Sequence, residues 1–403
     1  MKRITVPLLC IFVMFMISPS ESFSQTQEKK PAKAWYETIS LRGYVQVRYN
    51  RLFETNKSLK CEQCDRSWGE NGGLAIRRGR LIFSGNLTDR VYFYIQPDFG
   101  SSTGTTLNIF QLRDAYFDIG FDKKNEFRLR VGQSKVPYGF ENMQSSQNRL
   151  PLDRADALNS AVSNERDLGA FFYFAPEKIR SLYTSLVRDN LKGSGDYGVF
   201  GLGVYNGQTA NRPELNNTLH VVTRLSYPFE IGTQIIEPGI QSHIGKFVVP
   251  SENRSTGVKS IKSFEFNDQR IAGSFILYPK PFGIQAEYNV GNGPQYNPAK
   301  DSIENRNLKG GYATFSYKAK GKRKDEYFFP FTRLQSYDGG KKHELDARSY
   351  RVREIESGVE WQVNKSLEIT ASYVISNRRF EDSKLRNNAQ QGRLLRLQAQ
   401  VNF

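Results

Sequence analysis

The last ten residues of the chain alternate between apolar and polar side chains. Successive side chains of a β-strand point to opposite faces, so this period of two predicts a strand with one apolar and one polar face. The apolar face would carry Leu395, Leu397, Ala399, Val401 and Phe403, and the polar face would carry Arg396, Gln398, Gln400 and Asn402. Such a strand suits a sheet that separates an apolar medium from water, although a soluble sandwich could also use it.

The same alternation recurs along most of the chain. Sixteen strands are predicted, over residues 39–50, 76–87, 91–99, 114–121, 127–131, 168–176, 197–206, 217–228, 233–247, 263–279, 282–291, 308–319, 326–337, 350–363, 366–380 and 391–403. The segment 179–189 is ambiguous, because it could add a strand or form an excursion from a turn.

Short and long connections alternate between the predicted strands. Short turns are predicted at 86–90, 122–125 and 363–366, and long loops at 51–73, 136–167, 248–262 and 338–349. Bacterial outer-membrane barrels have this pattern, with short periplasmic turns and long external loops. Closure also removes the exposed edges that so many strands would create. The predicted fold is therefore all-β, a transmembrane antiparallel β-barrel of about 16 strands over residues 39–403.

The amino-terminal residues have the features of a secretory signal peptide. A basic start and an apolar run over residues 4–17 precede the small residues Ser22 and Ser24. A transmembrane anchor is the weaker alternative, because the apolar run is shorter than the ~20 residues that a spanning helix needs. We expect residues 1–24 to be removed and residues 25–38 to form a short periplasmic segment.

The composition favours the same class of protein. The mean hydropathy is −0.57 although aromatic residues make up 13% of the chain. Polar lumenal side chains, polar loops and aromatic girdles account for this combination. The net charge is +16, and it is +15 without the signal peptide, which has one positive charge in excess. This charge predicts an anionic partner, and export disfavours nucleic acid in that role; a basic solvated surface is the plainer alternative.

The block from Ile76 to Gly169 carries several ordered motifs. They are Arg77-Arg78-Gly79-Arg80-Leu81, Pro97-Asp98-Phe99, Leu112-Arg113-Asp114-Ala115-Tyr116, Val131-Gly132-Gln133-Ser134-Lys135-Val136-Pro137-Tyr138-Gly139-Phe140-Glu141, Leu152-Asp153-Arg154 and Arg166-Asp167-Leu168-Gly169. In this order the motifs resemble the phosphate-selective porin O/P family. The resemblance implies a sixteen-stranded barrel, usually a trimer, that passes phosphate or related anions along lumenal arginines. By analogy with porins, residues 136–167 are expected to fold inward as a constriction loop.

Four arginines share the predicted polar faces of two strands. Arg78 and Arg80 share a face opposite Leu81 and Phe83 on one strand. Arg128 and Arg130 likewise lie opposite Leu129 and Val131 on another. An arginine on the lipid face costs about 2–4 kcal/mol at the bilayer midplane, so we expect all four to point into the lumen. A guanidinium group stays charged and matches phosphate oxygens, which makes these arginines candidate substrate-binding residues. The alternative is structural pairing with carboxylates of the same wall, Asp98, Asp114 and Asp118.

Further cations lie near the expected constriction loop and in one turn. The family resemblance adds Lys135, Arg154 and Arg166 to the candidate substrate-binding residues, and Arg149 lies in the same loop. The alternative is that these cations lie on a solvent-exposed face of the loop and bind no substrate. The lysine-rich segment 318–324 is expected to form a basic periplasmic turn, which keeps the turn soluble or attracts anions.

Motifs for catalysis or cofactor binding give no coherent site. Cys61 and Cys64 form a CxxC without further zinc ligands nearby, so a loop disulfide is expected. Residues 193–198 match GxGxxG, but a predicted strand follows them instead of a helix, which argues against a nucleotide site. The three histidines, His220, His243 and His343, are scattered. We therefore expect no cofactor, no metal and no enzyme activity.

The sequence predicts a porin of the bacterial outer membrane that passes anions, phosphate or related oxyanions, by passive diffusion. The expected partners are small anions, outer-membrane lipid and lipopolysaccharide, further copies of the chain in a homotrimer, and the outer-membrane assembly machinery through Phe403. Three alternatives stay open. They are a general diffusion porin with little selectivity, a barrel scaffold with a blocked lumen, and a barrel enzyme that would need a reactive serine or histidine.

Overall fold

The chain forms an all-β structure, as the alternation predicts. The computed structural model describes residues 35–54, 72–103 and 106–403. The predicted signal peptide and the Cys61 and Cys64 motif lie outside the described residues. A 3₁₀ turn, Trp35–Thr38, precedes the first strand.

Across the described ranges sixteen strands follow one another, and each overlaps a strand predicted from the alternation. They are β1 Ser40–Glu54, β2 Gly72–Thr88, β3 Val91–Thr103, β4 Thr106–Gly120, β5 Phe127–Lys135, β6 Arg166–Phe174, β7 Phe200–Tyr205, β8 His220–Ser226, β9 Gln234–Val248, β10 Glu265–Leu277, β11 Phe282–Asn297, β12 Ser302–Tyr317, β13 Tyr327–Gly340, β14 Ser349–Gln362, β15 Leu367–Glu381 and β16 Ala389–Asn402. Two short extensions, Phe229–Ile231 and Ala319–Lys320, continue β8 and β12.

The sheet closes on itself. Each strand pairs antiparallel with its neighbours in sequence, and β1 pairs with β16, with Val45 opposite Val401. Next to this seam, Gly43 and Phe403 exchange two backbone hydrogen bonds of 2.8 and 3.0 Å. A Cβ atom on Gly43 would lie 2.7 Å from the Phe403 ring. Only glycine therefore lets the terminal ring lie against the first strand.

The two faces of the wall differ as predicted. On the outer face Leu41, Ile271 and Phe275 are 61%, 47% and 44% exposed, and other large apolar side chains are exposed along most strands. On the inner face Arg48 and Arg166 are each 2% exposed. An apolar belt of this extent is typical of a surface that faces lipid.

Polar side chains close the short turns at one end of the barrel. Asp122, between β4 and β5, accepts hydrogen bonds of 2.9 and 3.0 Å from the backbone N–H groups of Lys124 and Phe127. Asn364 does the same for the turn between β14 and β15. Such side-chain turns fix a tight reversal without a longer loop. We call this end the short-turn end and the opposite end the long-loop end.

Three α-helices occur in the described residues, α1 Phe140–Met143, α2 Asp156–Asn159 and α3 Glu177–Arg188. Helix α3 resolves the ambiguous segment 179–189, which is a helical excursion between β6 and β7 and not a further strand. Its side chains Ile179, Tyr183 and Leu186 are buried at helical spacing. No helix among the described residues has the length and apolar character needed to cross a membrane.

Two connections of the described residues lie inside the barrel. Residues 136–165, which we call the inner loop, join β5 to β6 and reach the far wall, where Glu287 of β11 accepts the backbone N–H of Phe140 at 2.6 Å. Residues 175–199 join β6 to β7 and reach β14. Together these connections bury most inward-facing side chains of the middle of the barrel. Space is left at the long-loop end.

Candidate functional site

Two β-bulges in the described strands each add an arginine at the long-loop end of the lumen. Arg77 is the extra residue where β2 pairs with β1, and Arg113 is the extra residue where β4 pairs with β3. A bulge places two residues of one strand against one residue of its partner and re-aims a side chain. As a result Arg77 faces inward together with Arg78, and Arg113 faces inward together with Asp114.

Asp98 on β3 lies at the centre of these arginines. Its Oδ2 atom is 2.7 Å from Arg80 Nε, 4.0 Å from Arg78 Nη1 and 3.9 Å from Arg113 Nε. The backbone N–H of Gly100 donates to Asp98 Oδ1 at 3.0 Å and fixes the carboxylate. One carboxylate is thus shared by three guanidinium groups, so the cluster keeps an excess of positive charge.

A cavity of about 520 Å³ opens above this cluster, and we call it the outer vestibule. Strands β2 to β4, the inner loop and the loops over 208–215, 250–253 and 341–344 enclose it. Of the residues that the structure describes, seven cationic side chains and five carboxylates line it, namely Arg77, Arg78, Arg113, Arg149, Arg154, Arg212 and Lys341, and Asp98, Asp153, Glu165, Glu252 and Glu344. The vestibule therefore has a net positive lining.

Three vestibule arginines receive the least compensation from carboxylates. Arg78 and Arg113 lie beyond hydrogen-bond distance of Asp98. Arg149 donates to one backbone carbonyl at 3.2 Å, and its Nε and Nη1 atoms have no hydrogen-bond partner in the described part of the chain. Burial, followed by the charge of Arg154, lowers the pKa of Arg149 below its usual range. A buried cation in this condition gains from a counterion, so these three groups are the strongest anion-binding candidates.

Arg80 and Arg166, both predicted as site residues, are paired with carboxylates of the wall. Arg80 Nε is 2.7 Å from Asp98 Oδ2, and Arg166 Nη2 is 2.9 Å from Asp114 Oδ2. The structural pairing that the sequence offered as an alternative is therefore present for both arginines. Both side chains are almost fully buried, so an anion would reach them only after these ion pairs open.

Arg154 and Lys135, also predicted as site residues, hold the inner loop. Arg154 Nη1 is 2.9 Å from Glu165, and its other nitrogens donate to backbone carbonyls of the inner loop. Lys135 donates to the carbonyl oxygen of Met143 at 2.7 Å. Of the two, Arg154 lines the outer vestibule.

Arg128 and Arg130 form a separate group nearer the short-turn end. Arg130 makes a bidentate contact of 2.7 and 2.9 Å with Asp118, and Arg128 Nη2 is 2.8 Å from Asp196. Strand β5 carries both arginines and Lys135, and at ~3.4 Å per residue the distance from Arg128 to Lys135 is about 24 Å. The predicted cations are therefore spread along the lumen and do not form one compact site.

Asp153 fastens the inner loop to the seam of the barrel. It accepts a hydrogen bond from Arg396 of β16, and it lies 3.3 Å from Arg48 of β1 and 3.7 Å from Arg77 of β2. Burial raises the pKa of Asp153, but the charges of Arg396, Arg48 and Arg77 outweigh burial and hold the pKa well below its usual range. One ionised carboxylate thus joins the inner loop to three strands.

The attachment through Asp153 is expected to survive mild acid. Because the pKa is depressed in the folded protein, the stabilisation is fully present above the ordinary pKa of about 3.9 and is lost only as the pH falls through the lower folded value. The protection factors for hydrogen exchange of backbone amides in residues 150–156, which correct for the pH dependence of intrinsic exchange, should therefore be as high at pH 4 as at pH 7. The Asp153→Asn variant should exchange faster at both pH values, and loss of protection in the unmodified protein between pH 5 and pH 4 would contradict the assignment.

Two of the three histidines belong to a buried network in the wall. Tyr205 Oη lies 2.5 Å from His243 Nδ1, and His243 Nε2 lies 3.3 Å from Asp268 Oδ2. The His220 ring packs between Tyr205 and His243. These side chains are fully or almost fully buried, so the network offers no surface to a substrate. Among the described residues, no group of three or more His, Cys, Asp or Glu side chains is placed to hold a metal ion.

The fold and the site define a class of protein. A closed sixteen-stranded wall, an outer apolar belt and a polar, cation-rich lumen with a vestibule at one end are the parts of an outer-membrane channel of the porin type. The short-turn end is the periplasmic end in such barrels.

The chain belongs to the phosphate-selective porin O and P family, whose sequence profile matches residues 59–403. It is similar in fold to the outer membrane channel DcaP of Acinetobacter baumannii, with 14% identity over 91% of this chain and 97% of that chain and a TM-score of 0.56. It is also similar to OmpF of Salmonella typhi in complex with daunomycin, with 11% identity, 90% and 97% coverage and a TM-score of 0.53. An anion-selective porin from Comamonas acidovorans gives 10% identity, 91% and 99% coverage and a TM-score of 0.52. No curated protein matches the chain.

These comparisons place the protein in the bacterial outer membrane as a channel, and they indicate a channel rather than an enzyme. Identities this low between solved structures and this chain establish the fold alone. The ion that passes and the residues that bind it are therefore argued from the site itself.

Proposed function

We propose that the protein lets anions, phosphate or related oxyanions, diffuse passively across the outer membrane. The outer vestibule carries this proposal, because Arg78, Arg113 and Arg149 line it without a direct hydrogen bond to a carboxylate in the described residues. A guanidinium group presents a planar fork that matches two oxygens of an oxyanion. An anion that enters from the long-loop end would meet these groups first and the paired arginines, Arg80 and Arg166, next.

The rest of the path follows from the placement of the other predicted residues. The inner loop would act as the constriction, with Lys135 and Arg154 holding it, and Arg128 and Arg130 would lie at the inner end of the path. Sites of this kind conduct only if each binds weakly enough to release the ion. We further propose a homotrimer from the family membership, with the apolar belt against lipid and lipopolysaccharide and Phe403 available to the assembly machinery.

The reversal potential of the purified protein in a planar bilayer under a KCl gradient tests the proposal. We expect reversal on the chloride side, because the vestibule carries more cationic than anionic side chains. Addition of inorganic phosphate should lower the chloride current, because a phosphate dianion binds the same guanidinium groups more tightly than chloride does.

Each other outcome selects an alternative. Anion selectivity without phosphate block would leave a general anion porin. Reversal near zero would favour a general diffusion porin, and reversal on the potassium side would contradict the role of the arginines. Absence of conductance would favour a scaffold with a blocked lumen. This scaffold is the second candidate function, because two connections fill the middle of the barrel.

A further inference from the structure

The connection between β6 and β7 crosses the lumen near the short-turn end. After α3, residues 189–199 form a segment that we call the inner strap. Lys192 Nζ of the inner strap is 2.6 Å from Glu360 Oε1 on β14, and Asp196 Oδ1 is 2.8 Å from Arg128 Nη2 on β5. In the closed ring, β14 lies nine strands from β5 in one direction and seven in the other. The two anchors therefore lie on nearly opposite sides of the barrel.

Helix α3 holds the strap at the short-turn end. Arg180 donates to the carbonyl oxygen of Lys124, in the turn between β4 and β5, at 2.9 Å. The side chain of Lys318, next to another short turn, donates to the carbonyl oxygen of Asp189 at 2.8 Å. Toward the middle of the barrel, Gln144 of the inner loop donates to the carbonyl oxygen of Lys192 at 2.6 Å. The strap thus crosses the lumen between the short turns and the inner loop.

The two anchors of the strap are opposite in charge and match their walls. Lys192 is buried against Glu360, and its Nζ lies 4.6 Å from the centre of the Phe329 ring. Asp196 is bound on both oxygens, by Arg128 at 2.8 Å and by Arg180 at 3.0 Å. A buried pair of this kind is stable only while both partners are present. Each anchor is therefore a point at which the strap can be released.

The carboxylate of Asp196 is an oxyanion, like the ions that the channel is proposed to carry. Its carboxylate places an oxygen on the guanidinium group of Arg128, as a free oxyanion would. The next residue, Tyr197, places its ring 5.6 Å from the guanidinium carbon of Arg130. The strap therefore covers both arginines at the inner end of the path. Burial raises the pKa of Asp196, but the charges of Arg128 and Arg180 outweigh it and keep the carboxylate ionised.

We propose that the inner strap is a gate, and that Asp196 holds the gate closed as a tethered substitute for the permeating anion at Arg128. The inference rests on the proposed function, because it assumes that anions travel along these arginines. An anion that reaches Arg128 competes with Asp196 and so binds only the open state. Differential binding of this kind is what shifts a population toward opening. Glu360 and Lys192 form the second latch of the same gate.

The experiment is single-channel recording of the full mature protein in a planar bilayer with symmetric KCl at pH 7. The Asp196→Asn variant keeps the shape of the side chain and removes its charge, so the closed state loses a charged hydrogen bond. We expect the open probability to rise about tenfold while the channel stays anion-selective. The matched control is Asp189→Asn in the same strap, because Asp189 is exposed and pairs with the adjacent Arg188. The open probability of this control should equal that of the unmodified protein.

The second latch gives an independent test that does not depend on how well Asp196→Asn folds. Glu360→Gln should raise the open probability in the same direction. The exchanged pair, Lys192→Glu with Glu360→Lys, should return it toward the original value, because attraction between the strap and β14 is restored. Unchanged open probability in both Asp196→Asn and Glu360→Gln would overturn the gate.

The recordings distinguish failure of the gate hypothesis from failure of the proposed function. If the channel is anion-selective but neither latch variant changes its open probability, the proposed function is supported and the gate is contradicted. If both latch variants raise the open probability but the channel passes potassium as well as chloride, the strap is still a gate. In that case the role of Asp196 as a substitute for a permeating anion is contradicted.

Discussion

Replacement of Arg78, Arg113 and Arg149 with glutamine is expected to lower the chloride-to-potassium permeability ratio at least tenfold. Each guanidinium group contributes about 1 kcal/mol to a monovalent anion at ~4 Å in a water-like medium, and more where the dielectric constant is lower. The three groups face one cavity. The nearby carboxylates of Asp98 and Glu165 make their shortest contacts with other arginines, Arg80 and Arg154. The reversal potential under a KCl gradient measures the effect, and block by phosphate should weaken in parallel.

A control with the same change in net charge is available at the other end of the barrel. Lys322, Arg323 and Lys324 are exposed in the short turn after β12. Their replacement with glutamine also removes three positive charges, but from outside the lumen, where salt screens them within about 10 Å. We expect little change in selectivity in this control. Equal losses in both triple variants would show that net charge, and not the vestibule, sets the ion preference.

Asp98→Asn is expected to lower the free energy of unfolding by about 3–5 kcal/mol and to raise anion selectivity. The substitution leaves Arg78, Arg80 and Arg113 around a neutral amide in a buried position, and removal of one partner from a buried ion pair has this cost. The same change adds one net positive charge to the vestibule. The midpoint of urea unfolding in lipid vesicles measures the first effect, and the reversal potential measures the second.

The matched control for stability is Asp338→Asn on β13. Asp338 lies 3.0 Å from Arg351, and both side chains are largely exposed at 46% and 62%. Exposed pairs contribute about 0–1 kcal/mol, so this variant should unfold close to the unmodified protein. If Asp98→Asn unfolds like Asp338→Asn, the cluster is solvated and the buried hub described above is wrong.

The wall of the barrel could be predicted from the sequence because one rule governs each strand. Leu397 and Val401 are exposed outward and Arg396 and Gln398 are buried inward, as strict alternation requires. Arg78, Arg80, Arg128 and Arg130 also lie on the inner face, as the cost of a charge in lipid predicts. The same rule fails at a bulge. Alternation from Asp114 places Arg113 on the outer face, so the pattern does not select Arg113 as a site residue although it lines the vestibule.

The interior of the barrel was harder to predict because its segments obey no lipid-facing period. Helix α3 left a signal in the spacing of Ile179, Tyr183 and Leu186, which repeats at four and three residues and not at two. The two contacts that carry its strap across the lumen join distant residues, Lys192 with Glu360 at 168 positions and Arg128 with Asp196 at 68 positions. Charge pairs at this separation leave no local pattern in a single sequence. Among the described residues, the division of arginines into those with and those without a direct hydrogen bond to a carboxylate depends on contacts between strands, such as Arg166 with Asp114, 52 positions apart.

The two bulges have a consequence for how channels of this kind diverge. A bulge is one residue in excess, so deletion of the codon for Arg77 or Arg113 would restore a regular ladder and remove one lumenal charge. The residues on either side would keep their faces, and the lipid-facing belt would be unaltered. In-frame loss or gain of single codons in β2 and β4 is therefore a route by which related genes can change the charge of the lumen in one step.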